Sequence, residues 1–135
     1  MKIVSILAIA ITYLIIDVIW ITVVMKPLYI HSLSHLMTVE NGQINIQLIP
    51  ATIVYILLTF GIFYFAVRQN KTLKKCLLDA FILGFIAYGT YDFTCFALFS
   101  HWNWLVTMVD VIWGGCICTI SALSGWLVLT RQRST

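Results

Sequence analysis

The chain has 135 residues, of which 61% are hydrophobic and 10% are charged, and its mean hydropathy is +1.00. A soluble domain carries about 25% charged residues, so this composition excludes a water-soluble globular enzyme, a disordered tail and a nucleic-acid-binding module. The net charge of +3 does not indicate nucleic acid, because it comes from only eight basic residues. At roughly 20 apolar residues per span, the length suits about four membrane helices.

Four apolar segments predict these helices in chain order. The first begins at Ile3. The stretch before its small-residue triplet, Ala8-Ile9-Ala10, is too short for the apolar region of a signal peptide and the apolar run continues well past that triplet, so we expect an uncleaved membrane helix. The fourth follows Asn103, which is a candidate N-cap. The sequence therefore predicts an all-α polytopic membrane protein, with residues 1–135 forming a single integral membrane domain that is a four-transmembrane-helix bundle. Its predicted spans are about 3–25, 47–67, 76–99 and 104–129, and its one long loop is 26–46.

The basic residues predict the orientation of the bundle. With four spans, only Lys26 falls on the side of the long loop. Cytoplasmic connections carry an excess of Lys and Arg, so both termini are expected to be cytoplasmic and the loop 26–46 external. The residues on the predicted cytoplasmic side are Lys2, Arg68, Lys71, Lys74, Lys75, Arg131 and Arg133.

The external loop carries its own helical pattern. Tyr29, Leu33, Leu36 and Met37 follow helical spacing, which predicts a short amphipathic helix lying on the membrane surface. Asn41-Gly42 then indicates a turn.

Three aspartates lie inside the apolar segments at a common depth. Asp17, Asp92 and Asp110 are each six or seven residues from the loop-side end of their span, which places them roughly 9–11 Å below the boundary. An Asp near the centre of a membrane helix costs about 2.5–3.5 kcal/mol, and no Lys or Arg lies within the predicted spans to offset this cost. Each carboxyl must therefore be protonated, hydrogen-bonded by neutral donors, or matched by water, a cation or a cationic ligand.

Neutral donors recur beside these aspartates at helical spacing. A Trp N–H or a Tyr O–H donates to a carboxylate, which only accepts when ionised. Tyr13 shares a face with Asp17, and the second span adds Thr52, Tyr55 and Thr59. This pattern predicts a polar, aromatic-walled cavity that opens outward. The alternative is that the same hydrogen bonds only hold the helices together. The candidate ligand-binding residues are Asp17, Trp20, Tyr88, Tyr91, Asp92, Thr107, Asp110 and Trp113, with His31, His35 and His101 as a possible rim.

One short motif occurs twice. Asp17-Val18-Ile19-Trp20 in the first span recurs as Asp110-Val111-Ile112-Trp113 in the fourth. Because these spans run in opposite directions, the repeat does not fit a parallel duplication of two helices. We interpret it as one local arrangement used twice.

Other candidate features favour structural roles. His31 and His35 have a spacing that zinc sites use, but no third ligand is near them in the sequence, so neither a metal nor another cofactor is expected. The four cysteines lie in or beside apolar segments, which favours packing over disulfides. Close helix packing, within the chain or across a homo-oligomer, is indicated by the small-residue pairs Gly114-x-x-x-Cys118 and Ser121-x-x-x-Gly125.

Several motifs together resemble a bacterial family of small four-helix membrane proteins, catalogued as domain of unknown function 2177. They are Asp17-x-x-Trp20, Tyr88-Gly89-Thr90-Tyr91-Asp92 and Thr107-x-x-Asp110-x-x-Trp113-Gly114, with Leu28-Tyr29 and Ser34-His35-Leu36 in the loop. The resemblance covers nearly the whole chain, but the second span has no matching motif. It implies a multi-pass protein of the bacterial cytoplasmic (inner) membrane and, because members lie near genes for fatty-acyl modification, a link to lipids. The family has no established activity, so no catalytic role carries over.

The leading hypothesis is that the cavity binds a lipid-like or cationic small molecule. Three alternatives stay open: an enzyme that modifies lipids or acyl groups with paired carboxyls as acid and base, a proton- or ion-coupled transporter, and a ligand-free partner in a protein assembly. Apart from Asp79, near the cytoplasmic start of the third span, the inner half of the predicted spans carries no charge, which argues against a continuous transport path. The expected partners are the lipid bilayer, the small molecule and a second copy of the chain, but not nucleic acid.

Overall fold

The computed structural model describes residues 2–36, 39–41, 43–69 and 71–132. Within these residues four helices are long and apolar enough to cross a membrane, and each begins and ends within three residues of its predicted bounds. The chain is therefore an all-α, multi-pass membrane protein. The four spans are Lys2–Val24, Leu48–Val67, Leu73–Leu98 and Trp104–Arg131.

Two of the spans change their helical form before they end. The first is α-helical as α1 (Lys2–Ile19) and continues as a π-helix over Trp20–Val24. The second is α-helical as α3 (Leu48–Gly61) and continues as a π-helix over Ile62–Val67. The remaining elements are α2 (Lys26–Leu33), the antiparallel two-residue strands β1 (Val39–Glu40) and β2 (Gln43–Ile44), α4 (Leu73–Leu98) and α5 (Trp104–Arg131).

Successive spans run in opposite directions, which gives the bundle two distinct ends. The loop end holds α2, the two short strands and the α4–α5 connection, 99–103. The terminal end holds the first residues of α1, the last residues of α5 and the start of α4. At the terminal end the Ser5 hydroxyl donates to the Gly125 carbonyl over 2.7 Å, which ties α1 to α5.

The fourth span, α5, lies at the centre of the bundle. Half of its most apolar 18-residue window is buried (50%), against 17% in each of the other spans. It packs against α4 at a close backbone contact, because a Cβ atom built on Gly84 would lie only 2.0 Å from the Gly114 carbonyl oxygen. Gly125 in turn faces Ile9 of α1. The small residues of α5 thus serve helix packing within the chain.

The two halves of the bundle differ in packing. The terminal half holds the buried core, whose members include Ile9, Ile62, Ala66, Cys76, Ala80, Ile117, Cys118 and Ala122. α3 joins this core through its π-helical continuation, whereas Thr59 is the buried residue along Leu48–Gly61. Towards the loop end α3 leaves α4, and Leu48 is 77% exposed. The loop half of the bundle is therefore open between its helices.

Two local features predicted from the sequence, a helix N-cap and a turn, are present at the loop end. The Asn103 side-chain oxygen accepts from the backbone N–H groups of Leu105 (2.7 Å) and Val106 (3.3 Å), which confirms the predicted N-cap of α5. Asn41 lies in a turn between the two strands with φ 51°, and its predicted turn partner Gly42 lies outside the described residues.

The loop helix α2 forms where a helix was predicted, but its face is turned differently. Tyr29 contacts the bundle and Leu33 is buried, instead of both lying on the membrane surface. The physical reason is that the Tyr29 hydroxyl donates a hydrogen bond to the Asp110 carboxylate, which draws this face of α2 onto the bundle. Leu36, beyond the end of α2, stays exposed. Met37, which was expected to extend this face, lies outside the described residues.

Candidate functional site

A cavity of about 530 Å³ lies in the open loop half, between α1 and α3 and beneath α2. Four of the eight predicted ligand-binding residues line it: Asp17, Tyr88, Tyr91 and Asp110. The other polar and aromatic side chains of the wall are Tyr13, Tyr29, Thr52, Tyr55 and Trp102. The other four predicted residues, Trp20, Asp92, Thr107 and Trp113, lie behind this wall or beside it.

Asp17 connects three spans. Its carboxylate accepts a hydrogen bond from the Tyr55 hydroxyl of α3 (2.9 Å) and one from the Trp113 indole of α5 (3.3 Å). The side chain is only 7% exposed, yet it reaches the cavity. Because an ionised carboxylate has about four acceptor sites, Asp17 keeps acceptor capacity after these two bonds.

Asp110 is held from above by the loop helix. The Tyr29 hydroxyl donates to its carboxylate over 2.6 Å. Burial and then the nearby Asp110 carboxyl raise the pKa of Tyr29 above its ordinary value, so this hydroxyl stays a donor throughout the physiological range. Next to this bond, the Asn103 amide donates to the Ser32 hydroxyl over 3.0 Å. These two bonds fasten α2 over the cavity.

The two copies of the repeated motif meet across two antiparallel helices. The rings of Trp20 and Trp113 stack with centroids 4.0 Å apart and planes 6° from parallel. Trp113 donates to Asp17 of the other helix, and the Trp20 indole lies close to Asp110. The Trp20 N–H does not reach hydrogen-bond geometry, and it is buried without another partner among the described residues. The two copies of the motif thus meet through their stacked indoles and through one hydrogen bond, from Trp113 to Asp17.

Three tyrosines form the floor of the cavity on the side of the core. The hydroxyls of Tyr13 and Tyr88 are hydrogen-bonded to each other, which links α1 to α4. The ring of Tyr55 meets the ring of Tyr13 edge-on, with centroids 5.7 Å apart. Because Tyr13 packs directly onto the buried core, this tyrosine floor separates the cavity from the terminal half.

Asp92 lies outside the cavity wall. It is 1% exposed, and neither of its carboxyl oxygens has a hydrogen-bond partner among the described residues. Asp110 interacts electrostatically with both Asp92 and Asp17. The three carboxyls predicted at one depth are thus electrostatically linked through Asp110, although only two of them face the void.

The remaining predicted residues lie at the loop end. The buried Thr107 hydroxyl accepts from the Trp102 indole over 2.9 Å, and Trp102 lines the cavity in its place. His31, His35 and His101 are exposed, and the rings of the last two meet with centroids 6.5 Å apart. Among the described residues, no group of three or more His, Cys, Asp or Glu side chains is placed to hold a metal ion.

Tyr29 and Trp102 line the cavity although they are not among the ligand-binding residues predicted from the sequence. The spacing of Tyr29 and Leu33 was a signal for a buried face, but it does not say whether that face meets lipid or protein. Trp102 resembled an interfacial aromatic residue, which is a common position for Trp in membrane proteins.

The chain matches the family model described as "Predicted membrane protein (DUF2177)" over residues 2–127. It belongs to this family. The match includes every lining residue of the cavity and also the second span, which carried no recognisable motif. No curated protein and no solved structure matches the chain. The DUF2177 description assigns no activity, and the cavity is the feature of the chain that bears on its function.

Proposed function

We propose that this DUF2177 protein is a binding protein whose cavity holds the cationic group of a small, lipid-like molecule. The observation that carries the proposal is that Asp17 and Asp110, from two different spans, line one cavity. No Lys, Arg or His is among the described residues of its wall. A carboxyl in such a place is protonated, hydrogen-bonded by neutral donors, or matched by water or an external cation, and the proposal takes the last of these.

The known donors leave room for a ligand. Asp17 accepts two hydrogen bonds and Asp110 accepts one from the described residues. The remaining acceptor sites face a void whose other surfaces are mostly aliphatic or aromatic. A ligand that brings an ammonium group or several N–H donors satisfies these sites, whereas an anion is repelled by both carboxyls.

The cavity geometry favours binding over passage. The tyrosine floor closes the void against the packed core, so a transport path would require that Tyr13 and Tyr88 separate. We further propose that the protein lies in a bacterial cytoplasmic membrane with its loop end outside, which the distribution of Lys and Arg supports.

The test uses a small cation of defined structure. Butylammonium is titrated into the protein in uncharged maltoside micelles, and tryptophan fluorescence is followed because Trp113 contacts Asp17. Butanol is the uncharged counterpart. Asp17→Asn combined with Asp110→Asn keeps the acceptors for Tyr55, Trp113 and Tyr29 but removes the charges. A charge-assisted hydrogen bond is worth about 1.5–3 kcal/mol, so binding is expected to weaken about 10- to 100-fold.

The matched control is Glu40→Gln, which removes a carboxylate from an exposed position at the same end of the bundle. It is expected to bind butylammonium as the unaltered protein does. Equal binding of butylammonium by the double variant and the unaltered protein would refute the proposal. So would binding of butanol as tight as that of butylammonium.

A further inference from the structure

A second void of about 460 Å³ lies between α3 and α4, on the side of the bundle that faces lipid. We call it the α3–α4 cleft, and its walls are Val54, Leu57, Leu58, Ala87, Tyr88 and Tyr91. Apart from the two tyrosine hydroxyls, these side chains carry no polar group. The cleft exists because α3 packs on the bundle through its π-helical continuation and then leaves α4 towards the loop end.

The cleft and the carboxylate cavity adjoin each other. Val54, Tyr88 and Tyr91 line both voids. Val54 on one wall is 51% exposed and Tyr91 on the other is 63% exposed. The side chains between the two voids are thus accessible from outside the bundle, and at this level of the spans the outside is lipid.

The two adjoining voids together offer one charged part and one apolar part. Asp17 and Asp110 lie in the first part, and the cleft supplies aliphatic walls in the second. This distribution complements a molecule with a cationic headgroup and a hydrocarbon chain. A free cation from water would leave the apolar cleft unused, and a neutral lipid would leave the carboxyls unmatched.

From this complementarity we infer that the ligand is an amphiphile of the bilayer with an ammonium headgroup, which enters sideways through the α3–α4 cleft and leaves a hydrocarbon chain there. The inference rests on the proposed function, since it assumes that the carboxylate cavity holds the headgroup. It adds the ligand class and the route of entry. A lipid that binds in this way keeps its chain in apolar surroundings while its headgroup moves to the carboxyls.

The test compares a long and a short probe. Dodecylammonium and butylammonium are titrated into the protein with Ala87→Phe, which fills the cleft at a position that does not line the carboxylate cavity. Because a blocked cleft forces the long chain into overpacked space, dodecylammonium is expected to bind about tenfold more weakly. Butylammonium binding is expected to stay unchanged.

The matched control is Ala97→Phe, the same substitution at an exposed position of the same helix that lines neither void. It is expected to leave the binding of both probes unchanged. Dodecylammonium that binds Ala87→Phe as tightly as the unaltered protein would overturn the inference. If instead Asp17→Asn with Asp110→Asn leaves butylammonium binding unchanged, the proposed function fails first, so the two failures are distinguishable.

A second measurement covers the case in which Ala87→Phe disturbs the fold and loses both probes. Dodecylammonium with a diazirine in its chain is bound to the unaltered protein and photoactivated, and labelled residues are located by peptide mass spectrometry. Labels on Leu57, Leu58 or Ala87 are the expected result. Labels confined to lipid-facing residues outside the cleft, such as Ile82 and Ile86, would overturn the inference.

Discussion

Asp17 illustrates how single residues of this protein combine stability with a site. Within the bilayer no bulk water is available to satisfy a polar group, so a donor and its acceptor depend on each other. Tyr55 and Trp113 both donate to Asp17, and in this way α3 and α5 are tied to α1. The same carboxylate faces the cavity, so its loss affects both the packing of the helices and the charge of the void.

Replacing this carboxylate separates the two roles. Asp17→Ala leaves Tyr55 and Trp113 without their acceptor, and at about 0.6–1.7 kcal/mol for each membrane hydrogen bond we expect a loss of about 1–3 kcal/mol of unfolding free energy. Asp17→Asn keeps an acceptor oxygen, so its loss is expected to be smaller. Reversible denaturation in mixed micelles measures both values, with Glu40→Ala as the control. Equal stability of both Asp17 variants and the unaltered protein would show that these bonds carry no stability.

The residue types predicted this site only in part. Three aspartates at one depth and the repeated Asp-x-x-Trp motif predicted that carboxyls and indoles meet, and Trp113 does donate to Asp17. The spacing of residues does not fix the rotation of each helix. It therefore did not predict that Asp92 stays outside the lining of the cavity or that Tyr29 donates to Asp110.

At the scale of the helices, small and large residues divide the bundle into a packed half and an open half. Gly84 and Gly114 allow α4 and α5 to meet backbone to backbone. Towards the loop end, α3 stands apart from α4, and aromatic side chains such as Tyr88 and Tyr91 line the space between them. The voids therefore lie beside α3, away from the close α4–α5 contact.

Two glycines of α4 provide a matched test of this division. A Cβ atom on Gly84 would lie 2.0 Å from the Gly114 carbonyl oxygen, whereas on Gly89 the nearest atom would be a Val111 methyl at 3.8 Å. Gly84→Ala is expected to destabilise the bundle by about 1–3 kcal/mol, because the backbones must move apart. Gly89→Ala is expected to be neutral or to stabilise by up to about 1 kcal/mol through helix propensity. Denaturation in micelles measures both, and equal stability of the two variants would contradict the close α4–α5 contact.

The elements themselves differ in how far the sequence predicts them. Long apolar runs predicted four spans to within three residues, and Asn103 predicted the start of α5. The π-helical continuations at Trp20–Val24 and Ile62–Val67 were not predicted, because an apolar run has no pattern that separates i+4 from i+5 hydrogen bonding. The departure of α3 from α4 depends on packing of the whole bundle and leaves no local signal.

At the scale of the whole molecule, the proposed orientation decides which leaflet supplies the ligand. The cavity lies in the loop half, so an external loop end gives access from the outer leaflet. The charge distribution predicts this orientation, because only one of the eight basic residues, Lys26, belongs to the loop between the first two spans of the sequence.

Labelling of intact cells tests this orientation. Ser34→Cys places a thiol at the exposed loop end, and Gln69→Cys places one at the exposed connection of the terminal end. A membrane-impermeant maleimide is expected to label Ser34→Cys and to leave Gln69→Cys unlabelled until the cells are lysed. The reverse pattern would place the cavity on the cytoplasmic side.

The most direct test of the account is to locate a bound cationic amphiphile in an experimental structure. The protein is crystallised with bromine-labelled dodecylammonium, and anomalous scattering locates the end of the chain. We predict that the nitrogen lies about 2.7–3.2 Å from a carboxylate oxygen of Asp17 or Asp110, and that the bromine lies between α3 and α4. A probe found only on the outer surface of the bundle, with the carboxylate cavity left unoccupied, would contradict the claim that this cavity binds a cation.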